Sequence, residues 1–409
     1  MSNFKFQTLP RQSAKSYDMR EKAKNHYVRF GNDNQFPDHL IELYNNSSIH
    51  NTCINATVTA IIGEGLTSNR QELLNRANTQ GETWNDILRK VASDLKVFGG
   101  FALEVIWSND ATKVAEVYHI DFSYLRAKEK NEKGRIEGYF VSDEWAKGTY
   151  KVQLEDMPYL PVYNPDTARY YPNQVLYYQP YRPGQNYYPL PDYVGALKVI
   201  DLDRNVDNFH NSNIENGLAP SLAITTFTNA NDDERQVIEH MLRSQWGGPN
   251  NAGSLFYMDV DSPENAPRIE PIPQNGADDY YVSLNESTMQ KILTGHRITS
   301  PMMLGIKTAG QLGGREEVQD AYRLFLNTVV RNFQQAILSA FELIFDQNYD
   351  DVTLGIQQLD LYAGNEEDVD VTTSIDSEIG EDSELEQEIE KADEENFEPG
   401  SEEADVLPG

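Results

Sequence analysis

The chain has 409 residues and a net charge of −31, from 65 acidic against 34 basic side chains. So acidic a balance excludes tight, non-specific binding to nucleic acid, which needs Lys and Arg set against phosphates. A single cysteine, Cys53, excludes an internal disulfide framework, and no apolar run approaches the ~20 residues of a membrane-spanning helix.

The charge is uneven. Residues 364–409 hold 19 Asp and Glu against one Lys, a net of −18, which leaves −13 on the first 363 residues. Dense like charge with few large apolar residues predicts a disordered tail, suited to solubility or to a basic partner. Residues 1–26 are polar and read as an N-terminal arm without the apolar stretch of a secretory signal.

The folded part opens with turn chemistry at Gly31-Asn32-Asp33-Asn34, and Pro37 starts a helix over 38–45. A second helix over 48–62 stops at Gly63-Glu64-Gly65, where glycine can take a left-handed cap. Cys53 falls in the run Ile49, Cys53, Ala56, Ala60, which predicts a small core residue rather than a nucleophile. Trp84, Ile87, Leu88, Val91 and Leu95 mark a third helix, ended by Gly99-Gly100. Residues 101–107 and 114–120 read as strands, and 136–141 and 150–154 as their continuation. Helices followed by short-range strands indicate an α+β fold.

Residues 158–193 contain ten tyrosines and eight prolines, which predicts a surface loop packing its own aromatics. Tyrosine also suits a protein interface, because it buries area and keeps a polar tip. A sugar cleft would need two carboxylates at a defined separation, and the sequence places no such pair. A helix over 192–216 has apolar positions at Tyr193, Leu197, Ile200 and Val206, and an acidic side at Asp201, Asp203 and Asp207. Residues 221–275 form a small insertion. Strands are expected at 222–226 and 254–260, with a helix carrying Val237, Ile238, Met241 and Leu242 between them.

Residues 278–345 read as helix, loop, helix. The first helix runs over 278–297, and the second carries one stripe through Val318, Tyr322, Phe325, Val329, Phe333, Ile337, Phe341 and Ile344. Glu316 and Glu317 sit at its positive end. The intervening loop, 300–314, carries four glycines and Lys307. Gly305-Ile306-Lys307-Thr308 fails the spacing of a phosphate-binding loop. Val352, Leu354 and Ile356 alternate as a last strand. No His-Glu-x-x-His, paired-Cys or Gly-x-Ser-x-Gly pattern occurs, so no catalytic residue, metal site or cofactor is assigned.

This order of parts resembles the portal (connector) proteins of tailed double-stranded DNA bacteriophages. The resemblance covers about 27–345. It rests on Phe30-Gly-Asn-Asp-Asn-Gln-Phe-Pro37, Gly247-Gly-Pro-Asn-Asn-Ala-Gly-Ser254 and Ile298-Thr-Ser-Pro-Met-Met-Leu-Gly305 in that order. It implies a wing over 27–190, a first stem helix over 191–220 and a clip over 221–275. A second stem helix over 276–300, a tunnel loop over 301–315 and a long wing or crown-side helix with a short strand over 316–363 follow. The family's crown is short or missing here.

The resemblance implies a ring, usually dodecameric, at one capsid vertex of the virion, assembled in the host cytoplasm. Its implied partners are double-stranded DNA in the channel, the terminase large subunit, the major capsid protein and a head-tail adaptor, with no membrane. Ile306, Lys307, Thr308, Gln311 and Arg315 are then the candidate tunnel-loop residues. Asp201, Asp203 and Asp207 are the candidate channel lining, which would repel the phosphate backbone so that DNA slides. The rival readings are a carbohydrate-active or other hydrolytic enzyme, argued from Tyr, Trp and carboxylates, and a minor capsid or adaptor protein.

Overall fold

A computed structural model describes residues 22–24, 27–145, 157–215, 222–226, 237, 255–259, 277–306 and 315–359. Strand β1 (Lys22–Lys24) pairs antiparallel with β2 (Tyr27–Arg29), so residues 22–24 of the expected arm form a strand. The following turn is held by Asn34, whose left-handed backbone (φ 68°) is a conformation that Asn tolerates. Its Oδ1 accepts from the Phe30 amide at 3.1 Å and from Arg126 Nε at 2.6 Å. Arg126 is fully buried, donates also to the Asn34, Ser123 and Leu125 carbonyls, and lies over the Phe30 and Trp145 rings. A buried guanidinium is tolerated because its donors find acceptors. The Phe30–Pro37 motif is thus a built turn that launches helix α1 (Phe36–Asn46).

Ser47 caps α2 (Ser48–Ile62) by accepting from the His50 amide. Thr83 and Asp86 form a reciprocal capping box at the start of α3 (Trp84–Phe98), and Gly99 closes it in the left-handed region at φ 86°. Gly63 ends α2 at φ 56° for a further reason. A Cβ there would stand 2.0 Å from the Gln357 carbonyl oxygen. Strand β3 (Gly65–Ser68) pairs at that point with β12 (Leu354–Gln357), so the last strand returns to the end of the second helix.

The main sheet is antiparallel. Strand β4 (Phe101–Trp107) lies between β5 (Val114–Ile120) and β9 (Asn173–Tyr178). A second sheet joins β6 (Leu125–Ala127), β7 (Gly138–Val141) and β8 (Tyr159–Pro161). The strand expected at 150–154 lies outside the described residues.

The tyrosine-rich window is not a surface loop. It supplies β8 and β9, and two of its tyrosines are core residues: Tyr188 is 1% and Tyr193 0% exposed. Tyr188 stacks on Phe30 at 4.2 Å and donates to the Val28 carbonyl, and Tyr193 donates to the Val97 carbonyl at 2.7 Å. Tyrosine can go inside here because each hydroxyl has an acceptor. Tyr170, Tyr171 and Tyr181 remain exposed.

Helix α4 (Leu197–Glu215) leaves the body after a short 3-10 turn, and α5 (Ala277–Gly295) returns beside it. Of the insertion between them, β10 (Leu222–Thr226) and β11 (Leu255–Asp259) are described, and they pair in parallel. The helix expected there lies outside the described residues except for Val237. Pro301–Leu304, expected as loop, forms a 3-10 helix capped by Ser300.

The long helix is interrupted. Helix α6 (Arg315–Phe325) passes through a π turn at Leu326–Val330 into α7 (Arg331–Phe345). Two apolar clusters share the body. One packs α3, β4 and β5 against the π turn and α7, with the Trp84 ring against Phe341 and Phe345. The other gathers α1, α2, Tyr188, Tyr193, Ile200, Ile292 and Leu293. Cys53 belongs to it, buried, with its thiol pKa pushed up to about 12 by burial. Residues from 360 on, the acidic tail expected at 364–409 among them, lie outside the described residues.

Candidate functional site

Helices α4 and α5, with the insertion between them, start and end on one side chain, Asp192. Lys96, on the buried face of α3, reaches it with Nζ at 2.9 and 3.1 Å from the two carboxylate oxygens. Arg297, just past α5, donates from Nη2 at 3.2 Å. Lys96 is wholly buried and lies over the rings of Tyr193 and Phe333. Burial pushes its ammonium pKa down, and the Asp192 carboxylate opposes that shift. One carboxylate therefore fixes the start of α4 and the end of α5 to the body.

A histidine pair seals the junction. His50 Nδ1 and His296 Nε2 are 2.8 Å apart, and both rings lie against Tyr193. Both residues are 0% exposed. Burial, then the Lys96 charge, lowers His50 to about pKa 3; burial, Lys96 and His50 hold His296 well below its ordinary value. The pair is neutral at neutral pH, so one ring nitrogen donates and the other accepts. Close approach completes the joint: a Cβ on Gly295 would sit 2.4 Å from Ala196 Cβ. Further out, Val199 of α4 faces Ser287, Gln290 and Lys291 of α5 across a groove of about 620 Å³.

The sequence-predicted acidic residues divide. Asp201 pairs with Arg204 at 2.6 Å, and Arg204 reaches Glu42 of α1 at 2.6 Å. Asp203 accepts from Ser47 Oγ at 2.7 Å, and burial raises its carboxyl pKa against that hydrogen bond. Both are engaged with the body of the chain, and Asp207 alone of the three is exposed. Ile306 is half-buried behind the 3-10 turn, its amide 3.2 Å from the Pro301 carbonyl. Arg315 opens α6, and Lys307, Thr308 and Gln311 lie outside the described residues. Asp192, Lys96, Arg297, His50 and His296 were not read from the sequence. The signal for Lys96 was present: it stands in Leu95-Lys96-Val97-Phe98, a charge inside an apolar run.

Among the described residues, no group of three His, Cys, Asp or Glu is arranged to hold a metal ion, and no helix is long and apolar enough to cross a membrane. A family model described as phage portal protein matches residues 63–362, which is most of the chain and includes Lys96, Asp192, His296 and Arg297 of the junction. The chain belongs to the phage portal protein family. It is 26% identical over 181 residues to a probable portal protein of Escherichia phage P2, covering 43% of this chain and 52% of that one. It is 25% identical over 164 residues to a probable portal protein of Haemophilus phage HP1 (strain HP1c1), covering 38% and 47%. The chain spans about half the length of the curated relatives it matches.

Two solved structures share the fold. One is from the virion of a native gene transfer agent particle, with a TM-score of 0.54, 13% identity and coverage of 93% of this chain and 94% of that chain. The other is from the neck of the native particle computed with C12 symmetry, with a TM-score of 0.51, 14% identity and coverage of 80% and 85%.

Proposed function

We propose that the chain is the subunit of a portal ring at one capsid vertex, through which double-stranded DNA is packaged and ejected. Family membership over residues 63–362 carries this reading. The fold shared with a neck component computed with C12 symmetry supports a cyclic assembly of twelve copies. Such a ring closes through a heterologous, head-to-tail interface. The body over 27–190 is the wing, α4 and α5 are the stem, and 221–275 is the clip that docks the terminase motor and then the head-tail adaptor. The wing rim meets the major capsid protein, and the ring ends in the virion after assembly in the host cytoplasm.

Residues 301–315 are the tunnel loop, with Lys307 as its DNA contact alongside Ile306, Thr308, Gln311 and Arg315. The acidic lining falls chiefly on Asp207, because Asp201 and Asp203 are tied to Arg204 and Ser47. The Asp192 junction suits a stem: it returns both helices to one anchored point, so force on the clip reaches the wing through a buried knot. The test is complementation in particle-producing cells. With the chain absent, heads should assemble without DNA, and restoring it should restore filled heads. DNA-filled heads at equal frequency without it would overturn the assignment.

A further inference from the structure

The π turn at Leu326–Val330 stands where a lightly held helix meets a firmly held one. The Arg331 amide donates to the Leu326 carbonyl, five residues back, so the turn takes in one residue more than an α-turn. Thr328 Oγ1 donates to the Leu324 carbonyl at 2.7 Å, adding a side-chain donor to that acceptor at the irregularity. The apolar positions explain the surplus residue. Phe325, Val329, Phe333, Ile337 and Phe341 are spaced by four throughout. Four such steps overrun an α-helix of 3.6 residues per turn by about 160°. One extra residue in the turn recovers roughly 100° of that and keeps Phe325 and Phe341 both inside the core.

The two flanks are held differently. Helix α7 is pinned by Gln334 to the Ile61 carbonyl, by the Tyr163 hydroxyl to the Leu343 carbonyl, and by Phe341 and Phe345 against Trp84. In α6 no residue from 316 to 324 is buried, and Thr299 Oγ1 ties its Ala321 carbonyl to the segment before the loop. We propose that the π turn is a register-shift joint, by which α6 turns about the helix axis while α7 stays fixed.

When the surplus residue is absorbed into regular helix, every α6 residue moves one place toward the N-terminus, by about 1.5 Å and about 100°. Leu326 then takes the place of Phe325, and Phe325 takes the exposed place of Leu324. The Thr299 bond to Ala321 must break or follow. Helix α6 begins at Arg315, so the joint sets the position of one end of the 301–315 segment. This consequence rests on the proposed tunnel loop; the joint itself does not.

Thiol labelling of the purified full chain reads the shift directly. Phe325→Cys is buried in the π state and exposed in the shifted one, whereas native Cys53 is buried in the described fold and gives little background. Ile337→Cys in α7 controls for general opening. Phe325→Cys should label at least tenfold faster than Ile337→Cys or Cys53. Deletion of Asn327, an exposed residue of the turn, removes the surplus residue and leaves both flanks in phase. It should abolish that excess. Hydrogen exchange on the chain without added cysteines provides a second measurement. Amides of 324–331 should exchange at least tenfold faster than those of 334–345, and the deletion should slow them. Labelling of Phe325→Cys no faster than Ile337→Cys, or exchange at 324–331 unchanged by the deletion, would overturn the joint. Neither readout needs DNA, so its failure would leave the portal assignment standing.

Discussion

Replacing Asp192 by Asn removes the charge that faces a wholly buried Lys96 and keeps the shape of the side chain. Breaking a buried pair from one side costs about 3–5 kcal/mol, because the remaining charge is left uncompensated. The lysine has an escape: it can lose its proton. Taking an ordinary lysine pKa of about 10.4 and 1.36 kcal/mol per pH unit, deprotonation at pH 7 costs about 4.6 kcal/mol. That figure is a ceiling on the charge penalty.

At pH 9 the same ceiling is about 1.9 kcal/mol. The sign follows from the direction of the shift. A folded-state pKa depressed below the unfolded value means that the unfolded chain binds more protons, so stability rises with pH in that window. The assay is denaturant unfolding of Asp192→Asn and parent at pH 7 and pH 9. The deficit should be about 3–5 kcal/mol at pH 7 and smaller by up to about 2.7 kcal/mol at pH 9. Adding Lys96→Met should recover most of the pH 7 deficit, since an apolar replacement of a buried pair is often neutral. Arg297→Ala should cost under about 1 kcal/mol, because that arginine is 46% exposed. A deficit that does not shrink between pH 7 and 9, with no rescue by Lys96→Met, would refute the junction as described.

Acid should loosen the same junction from its other side. His50 and His296 are held below their ordinary pKa, so stability is lost as pH falls below about 6.5, by about 1.4 kcal/mol per pH unit for each proton taken up. Unfolding of the His50→Phe, His296→Phe double variant from pH 6.5 to 4.5 should show a shallower slope than the parent. Gly63→Ala should destabilise the chain by about 2 kcal/mol or more, from a left-handed φ and a Cβ driven into the Gln357 carbonyl; urea unfolding measures it. Arg126→Met should cost about 3 kcal/mol or more in the same assay, since it leaves three buried carbonyls and the Asn34 side chain short of a donor.

Much of the fold is legible because its signals are local. Pro37, Gly63, the two strands at Phe101–Trp107 and Val114–Ile120 and the end of α3 at Gly99 follow from turn chemistry and periodicity within a few residues. The long-range features are not written that way. Tyr188 looks like a surface aromatic until Val28 supplies a carbonyl for its hydroxyl, and the apolar stripe that includes Tyr193 does not reveal the Val97 carbonyl that its hydroxyl reaches. The acidic side of α4 is periodic, but periodicity does not reveal that Ser47 and Glu42 wait beside Asp203 and Arg204. The junction joins residues from 96 to 246 positions apart, and only Lys96 within its apolar run hints at it. The π turn was written in the sequence as repeated steps of four, and a stripe count tolerant of threes and fours passes over it.

The central claim is the ring, and direct imaging of the purified chain tests it most simply. Electron microscopy of the assembled protein should show closed rings of one dominant size, twelve-fold or close to it. Each should have an axial hole wide enough for a DNA duplex. Particles that remain monomeric at every protein concentration, or that assemble without an axial opening, would contradict the account.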